Sequence, residues 1–418
     1  MNWKKEVLVH IKPTREEEKE VAVQISDFLK RLNKVMGDAR AVLGGSGAKG
    51  TWLRDQHDAD VFVLFPHAKY HKNSDELADI LDKRLKKAFK RYTRLHGSRD
   101  YFQIRENGAT FEIIPILGIG QARQAANITD VSPLHAQWVK KNSTEKLRDD
   151  IRLAKAFCKT QNCYGAESYI RGLSGYVLEI LVIQYKGFEK LLRAALRWEE
   201  KQVIDAARFY PHKENVWVVM NKAKLESPLI VVDPVDGARN AAAALNKEKW
   251  LLFREKAGLF LKRPSVHFFT REEVTLDKLR SKKGKNHLLW MEVESILGKE
   301  DVSGTRLLLA FEFLRKNLTV FDVVKDGWEW NKKKKGVFWF FLKKKELSRF
   351  ELRRGPPLEM KKYVEDFKKT HTKTFVKDGF IWTKVVVKDY SLKNFLKRRI
   401  KEGYFVEKVK AVKRMVVL

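Results

Sequence analysis

The stretch GGSGAKGTWLRDQHDADVFVLF, residues 44–65, holds the pattern on which the rest of the chain turns. Two glycines and Ser46 make a tight polar turn, eleven residues follow, and Asp58-Ala59-Asp60 opens a near-continuous apolar run closed by Pro66. Such a run reads as a strand. Strand side chains repeat every two residues, so Asp58 and Asp60 fall on one face. Two convergent carboxylates are hard oxygen ligands suited to a divalent cation. The glycines let backbone N–H groups approach a phosphate, whose oxygens the Ser46 hydroxyl and Lys49 ammonium can reach. Hard ligands beside a phosphate cradle point to Mg²⁺ and a nucleoside triphosphate rather than zinc. Taken singly, each feature is an ordinary turn or a solvated strand entry; their combination carries the chemistry.

On either side of this stretch, periodicity predicts a helix over 15–36 and short strands over 39–43, 102–105 and 110–114, with a helix at about 76–90. Glu112 stands within the last strand between Phe111 and Ile113, a lone acid among apolar neighbours. From about Glu145 the spacing turns helical, over 147–159, 174–185, 187–198 and 241–259. After Pro264, strand-like runs at 288–293, 336–342 and 380–387 alternate with helices at 304–316, 358–369 and 392–400. That alternation predicts a single small sheet of the ferredoxin or RNA-recognition type. The fold class expected is therefore α+β and multidomain: a catalytic head over 1–142, a helical central domain over 143–262, and a basic α+β body and tail over 263–418.

At 418 residues the chain is too long for one ordinary core, and at 44% hydrophobic it is too apolar to be disordered. Lys and Arg number 85 against 53 Asp and Glu, a net charge of +32, which calls for a polyanionic partner. The excess is densest at the end, where residues 301–418 hold 31 basic against 14 acidic side chains. Two cysteines, Cys158 and Cys163, cannot form a cysteine-rich zinc site, and the start of the chain does not resemble a signal peptide. A reducing cytoplasm fits. No apolar stretch approaches the roughly 18 residues needed to span a bilayer, so a transmembrane role is excluded. The basic runs at 332–335 and 343–345, with Arg353 and Arg354, are interleaved with aromatic strands containing Trp328, Trp330 and Phe338. That pattern suits an RNA helix held by phosphate contacts and shape, with the charges rather than the rings as the binding groups.

The Gly-Ser turn, the spacer and Asp58-x-Asp60 resemble the nucleotidyltransferase superfamily shared by DNA polymerase beta, poly(A) polymerase and CCA-adding enzymes. The segments KAFCKTQNCYGAESYIRGLSGYVLEILVIQY (155–185), VVDPVDGARNAAAAL (231–245) and SPLHAQWV (132–139) narrow the resemblance to archaeal, class I CCA-adding enzymes, that is, tRNA nucleotidyltransferases. A weaker likeness continues through LSRFELRRGPP and YVEDFKKTHTKTFVKDGFIWTKV, leaving only about the last fifteen residues unmatched.

The resemblance implies a polymerase-beta-like head in which Asp58, Asp60 and Glu112 are catalytic and bind metal. It implies triphosphate contacts by Ser46, Lys49, His135, Lys155 and Tyr164, and places Arg239, with Asp233, Asp236 and Asn240, beside the incoming base. Ser98, Arg99 and Tyr101 would guide the primer end. Two positions depart from the family pattern: Glu112 stands where relatives usually have Asp, and Lys49 where they commonly have Arg, so bidentate phosphate bonding is lost there. The implied activity is template-independent addition of C, C and A to the 3′ end of tRNA from CTP and ATP with Mg²⁺, releasing pyrophosphate, by a homodimer. The alternatives are an enzyme limited to CC or A addition, a poly(A)-type polymerase, and an RNA-binding protein with a decayed catalytic domain. Intact Asp58, Asp60 and Ser46 argue against decay.

Overall fold

Apolar side chains on both faces of Val61–Phe65 require a strand covered on both sides, and burial of this kind favours parallel pairing. The computed structural model describes residues 3–54, 58–212, 215–387 and 389–418. In it, β1 (Arg40–Leu43), β2 (Asp58–Pro66), β3 (Thr93–Leu95), β4 (Tyr101–Glu106) and β5 (Ala109–Gly118) form a sheet in the order β1-β2-β5-β4-β3. β2 and β5 run parallel, aligning Asp58 with Thr110 and Asp60 with Glu112, while antiparallel β4 aligns Gln103 with Glu112. The β4–β5 turn uses Asn107 and Gly108 at φ 50° and 77°, the left-handed pair that a two-residue hairpin requires. The Arg15–Asn33 helix covers one face. It begins at a capping box between Thr14 and Glu17, and its Phe28 stacks on Phe111 with ring centroids 3.8 Å apart.

A second core joins the helices Glu145–Thr160, Gly175–Tyr185, Phe188–Ala195 and Lys247–Lys262 around buried Phe157, Phe188, Phe253 and Phe260. The N-terminal helix Trp3–Ile11 packs here rather than on the head: Trp3 meets Phe260 edge-on at 5.0 Å, and Lys4 pairs with Asp150 at 2.6 Å. The chain divides into two compact units, 1–272 and 273–418. The central region is not wholly helical, because β6 (Gln202–Asp205), β7 (Leu229–Asp233) and β8 (Asp236–Asn240) form a sheet within it. Leu229 to Val232 are buried on both faces, so the sequence shows no alternation to mark the strand. The helix expected over 241–259 starts instead at Lys247, capped by Asn246. The N–H of Ala241 continues the ladder to Val231 O and that of Ala242 donates to the Asn240 side chain, so these alanines remain in a turn despite their helix propensity.

In the second unit, β9 (His287–Ser295), β10 (Val323–Trp330), β11 (Lys335–Leu342) and a later strand at Val409–Val417 form an antiparallel sheet. β11 lies between β9 and β10, and the Glu300–Asn317 helix packs Leu307, Phe311 and Leu314 against it. Lys332 to Lys334 lie at the tip of the β10–β11 hairpin. The single sheet expected here is a correction: β12 (Phe350–Pro357), β13 (Thr374–Lys377) and β14 (Phe380–Val386) make a second one, order β12-β14-β13, leaving the Val409–Val417 strand as β15. Alternation along a chain identifies strands but not which of them share hydrogen bonds. Among the described residues no helix is long and apolar enough to cross a membrane.

The loop after β5 is anchored by Asp130, whose fully buried carboxylate accepts the N–H groups of Leu117, Ala126 and Asn127 and the Arg99 guanidinium. Arg99 also donates to Pro115 O, so the side chain that the resemblance puts at the primer end is turned inward to brace the sheet. Asp130→Ala, which leaves that guanidinium buried and unpaired, should lower unfolding free energy by about 3 kcal/mol or more. An unchanged urea midpoint would show the pair to be dispensable.

Candidate functional site

The acids come first because the sheet fixes them. Asp58 is exposed at the mouth of β2, and Asp60 is half-buried one pleat further in on the same face. Gly44 N–H donates to Asp60 O at 2.7 Å, which holds the glycine turn against the strand. At Gly45, φ is 53° and a Cβ would come within 1.6 Å of Asp60 Oδ2, so glycine is required there on both counts. Burial raises the Asp60 pKa, opposed by Lys49 and Lys155 and reinforced by Asp58. Among the described residues neither aspartate carboxylate has a hydrogen-bond donor, whereas Glu112 Oε1 accepts from Gln103 Nε2 at 3.4 Å.

The expected three-acid metal group is therefore only partly assembled. Asp58, Asp60 and Glu112 share a face by strand register, yet among the described residues no three acidic, histidine or cysteine side chains converge closely enough to hold a metal. The donor set itself fits a hard divalent cation: two neighbouring carboxylates, one of them half-buried, facing ammonium groups rather than thiols or imidazoles.

Ser46 lies half-buried in the one-turn helix Gly45–Lys49 that follows the glycine turn. The Glu145–Thr160 helix then grips the chain just beyond. Arg152 donates to Gly50 O at 2.8 Å and Trp52 O at 3.0 Å, and Lys155 to Thr51 O at 3.3 Å. Lys49 and Lys155 meet at one buried carboxylate, Glu179, with each Nζ 2.8 Å from a different oxygen. The Thr51 hydroxyl donates to Glu179 Oε1 at 2.7 Å. Burial alone would raise the Glu179 pKa, but Lys155 and Lys49 outweigh it and hold it down to about 2. Burial lowers the Lys155 pKa, which Glu179 opposes. The Tyr164 hydroxyl joins the group: a Cβ on Gly175 would lie 2.9 Å from that oxygen and 3.4 Å from Lys155 Cε.

A third cluster centres on Asp233 at the end of β7. Its carboxylate receives His135 Nε2 at 2.9 Å, the Tyr176 hydroxyl at 2.9 Å, the Val235 N–H at 3.1 Å and the Arg239 guanidinium. Burial lowers the His135 pKa against the pull of Asp233, which favours the neutral ring. Asp233 itself is held below the usual carboxylate range, His135 and Arg239 overcoming its burial. The Tyr176 ring joins this cluster to the last: it stacks on His135 at 4.0 Å and lies 5.1 Å from Lys49 Nζ. Asp236 accepts from Ala238 N–H at the β7–β8 turn and begins a strand, not a helix.

Of the residues for which the resemblance implies nucleotide contacts, the structure gathers Lys49, Lys155 and Tyr164 near Glu179 and His135 and Arg239 on Asp233, while Glu179, Thr51, Tyr176 and Arg152, which hold several of them, were not expected from the sequence. For Glu179 a signal existed. It is the lone charge in GYVLEILVIQY, and an acid buried in an apolar helix must meet a cation. Thr51, Tyr176 and Arg152 carried none.

Residues 23–114 match the nucleotidyltransferase domain family and residues 149–270 the family described as tRNA nucleotidyltransferase, second domain. The CCA-adding enzyme of Nanoarchaeum equitans is 32% identical over 391 residues, covering 91% of this chain and 92% of that one. The CCA-adding enzyme of Methanocaldococcus jannaschii is 30% identical over 391 residues, with coverage of 90% and 85%. Among solved structures, a cytoplasmic RNA terminal U-transferase aligns with a TM-score of 0.49 at 16% identity, over 65% of this chain and 98% of that one, a likeness too loose to argue from. With both domains matched in order and about a third of residues identical across nine-tenths of the length, the chain belongs to the family of CCA-adding enzymes.

Proposed function

We propose that the face carrying Asp58 and Asp60 is the single centre at which this enzyme adds C, C and A to the 3′ end of tRNA from CTP and ATP. The observation that carries this reading is the joining of the clusters: Lys49 and Lys155 on Glu179 act on the Asp60 carboxylate, and the Tyr176 ring connects Lys49 to His135 and Arg239 on Asp233. Ser46, Lys49 and Tyr164 hold the triphosphate, Lys155 adds its charge from behind them, and His135 adds a polar contact. Arg239, whose planar fork suits a base edge or a phosphate, faces the incoming base. Asp58 and Asp60 hold Mg²⁺, with Glu112 as third ligand. When bound, Mg²⁺ supplies a lowered pKa for the terminal ribose hydroxyl and neutralises charge on the triphosphate. That hydroxyl attacks the α-phosphorus, a new phosphodiester bond forms, and pyrophosphate leaves. No covalent intermediate on the protein is needed. The basic second unit takes the tRNA, and the working form is a homodimer, which sedimentation of the pure protein tests.

The deciding experiment offers tRNA lacking its 3′ end each labelled nucleotide in turn. Incorporation of C, then A, with U and G refused separates the full activity from CC-only, A-only and poly(A)-type enzymes. Asp58→Ala and Asp60→Ala should each abolish C and A incorporation alike while tRNA retention on filters is kept. Survival of A addition alone in either variant would argue against a single centre.

Glu112→Gln should lower turnover by about a hundredfold or more, the scale for removing a group that stabilises transition-state charge, with CTP binding preserved. Full turnover across a Mg²⁺ titration would remove Glu112 from the metal. Replacing Lys343, Lys344, Lys345, Arg353 and Arg354 by Gln should weaken tRNA binding and reduce its salt dependence, by a log–log slope of about 0.9 per lost contact on a duplex. Lys344 is paired with Asp322 at 2.9 Å, and Arg353 faces Glu351 at 3.8 Å, so these two should contribute less than Lys343 and Lys345. An unchanged slope would place the tRNA footprint elsewhere.

A further inference from the structure

The two lysines assigned to the triphosphate are held by a side chain with no role in that assignment. Glu179 is 1% exposed, midway along Gly175–Tyr185, with Leu178, Ile180 and Leu181 buried beside it. A carboxylate in such surroundings is tolerated only when its charge is matched and its oxygens are hydrogen-bonded. Both conditions are met: Oε1 receives Lys155 and Thr51, and Oε2 receives Lys49.

The two ammonium groups are not equivalent. Lys155 Nζ carries three N–H groups and has three acceptors in reach, Glu179 Oε1 at 2.8 Å, Thr51 Oγ1 at 2.9 Å and Thr51 O at 3.3 Å. Because the Thr51 hydroxyl gives its proton to Glu179, its lone pairs are left for Lys155. Among the described residues, Lys49 Nζ has one oxygen partner, Glu179 Oε2, and otherwise lies near the Tyr176 ring, so donors remain for an incoming anion. Two cations this close repel unless a shared anion separates them.

We propose that Glu179 is a positioning residue for nucleotide binding, bridging Lys49 and Lys155 so that Lys49 presents its remaining donors to the triphosphate while Lys155 stands behind as a fixed inner charge. This rests on the reading of the site as the triphosphate site. Among the described residues the Glu179 carboxylate itself hydrogen-bonds only Lys49, Lys155 and Thr51, and neither a member of the base cluster on Asp233 nor an acid of β2. It therefore acts on CTP and ATP equally, and on binding rather than on the chemical step.

The test is equilibrium dialysis of CTP and ATP against the full-length protein without tRNA, followed by steady-state kinetics. Glu179→Gln keeps the size of the side chain but removes its charge. Kd for both nucleotides should rise by about tenfold or more, the cost of losing a hydrogen bond between charged groups. KM should rise in parallel, with kcat at saturating nucleotide largely kept and Glu179→Asp partly restoring affinity. In a double-mutant cycle with Lys49→Gln, the two losses should be strongly non-additive, because Glu179 acts through Lys49. Unchanged Kd in Glu179→Gln, additive losses, or an effect confined to one nucleotide would each overturn the proposal. If Glu179→Gln does not fold, Thr51→Val decides, since it removes the hydroxyl of the bridge but no charge: a higher Kd for both nucleotides supports the bridge, and an unchanged one refutes it. A wild-type protein that binds neither CTP nor ATP would instead overturn the underlying reading of the site.

Discussion

A helix reaching across to hold a loop is the constraint on which this site depends. Arg152 and Lys155 of Glu145–Thr160 fasten the carbonyls of Gly50, Thr51 and Trp52, just beyond the glycine turn. Without that grip, a stretch with three glycines between Gly44 and Gly47 and a fourth at Gly50 would cost much conformational entropy to order. With it, the backbone that carries Ser46 and Lys49 is fixed relative to a core more than a hundred residues further along. The head supplies the acids, but the helical core holds the turn that carries Ser46 and Lys49 in place.

Three buried acids repeat one device. Glu179, Asp233 and Asp130 each sit almost wholly out of solvent, and each gathers donors from segments distant in sequence. In a chain with net charge +32, a buried carboxylate meets no shortage of cations, and its location decides which cations come together. Pairing one anion with several donors meets the desolvation cost of burial and fixes geometry at the same time. Glu179 gathers lysines, Asp233 gathers a histidine, a tyrosine and an arginine, and Asp130 braces a loop. The first two are joined through the face of Tyr176.

The departures from the family pattern have a structural setting. Lys49 lacks the planar fork of arginine, but it stands beside a second lysine on a shared carboxylate, so positive charge is concentrated where bidentate geometry is absent. Glu112 has one methylene more than aspartate, and its carboxylate lies against Gln103 rather than between Asp58 and Asp60.

The sequence by itself determined the head and the chemistry of its acids. A period of two puts Asp58 and Asp60 on one face, and the apolar run behind them admits only a buried strand. The glycine turn before them, an ordinary turn on its own, gains its meaning from standing eleven residues before that acid pair. These are local properties, set by neighbours within a few residues. What only the tertiary structure decided was long-range. Residues 229–232 showed no period to separate a buried strand from a buried helix, and alternation could not say that residues 273–418 build two sheets rather than one. The helix Trp3–Ile11 is amphipathic in a way that fits either core, and packing of Trp3 against Phe260 assigned it to the second. The role of Lys155 was likewise open, because a lysine on a helix is ordinarily a solvated charge. Folding brought its Nζ within 3 Å of Glu179 and Thr51 and placed Lys49 on the same carboxylate, a meeting of segments that no spacing along the chain encodes.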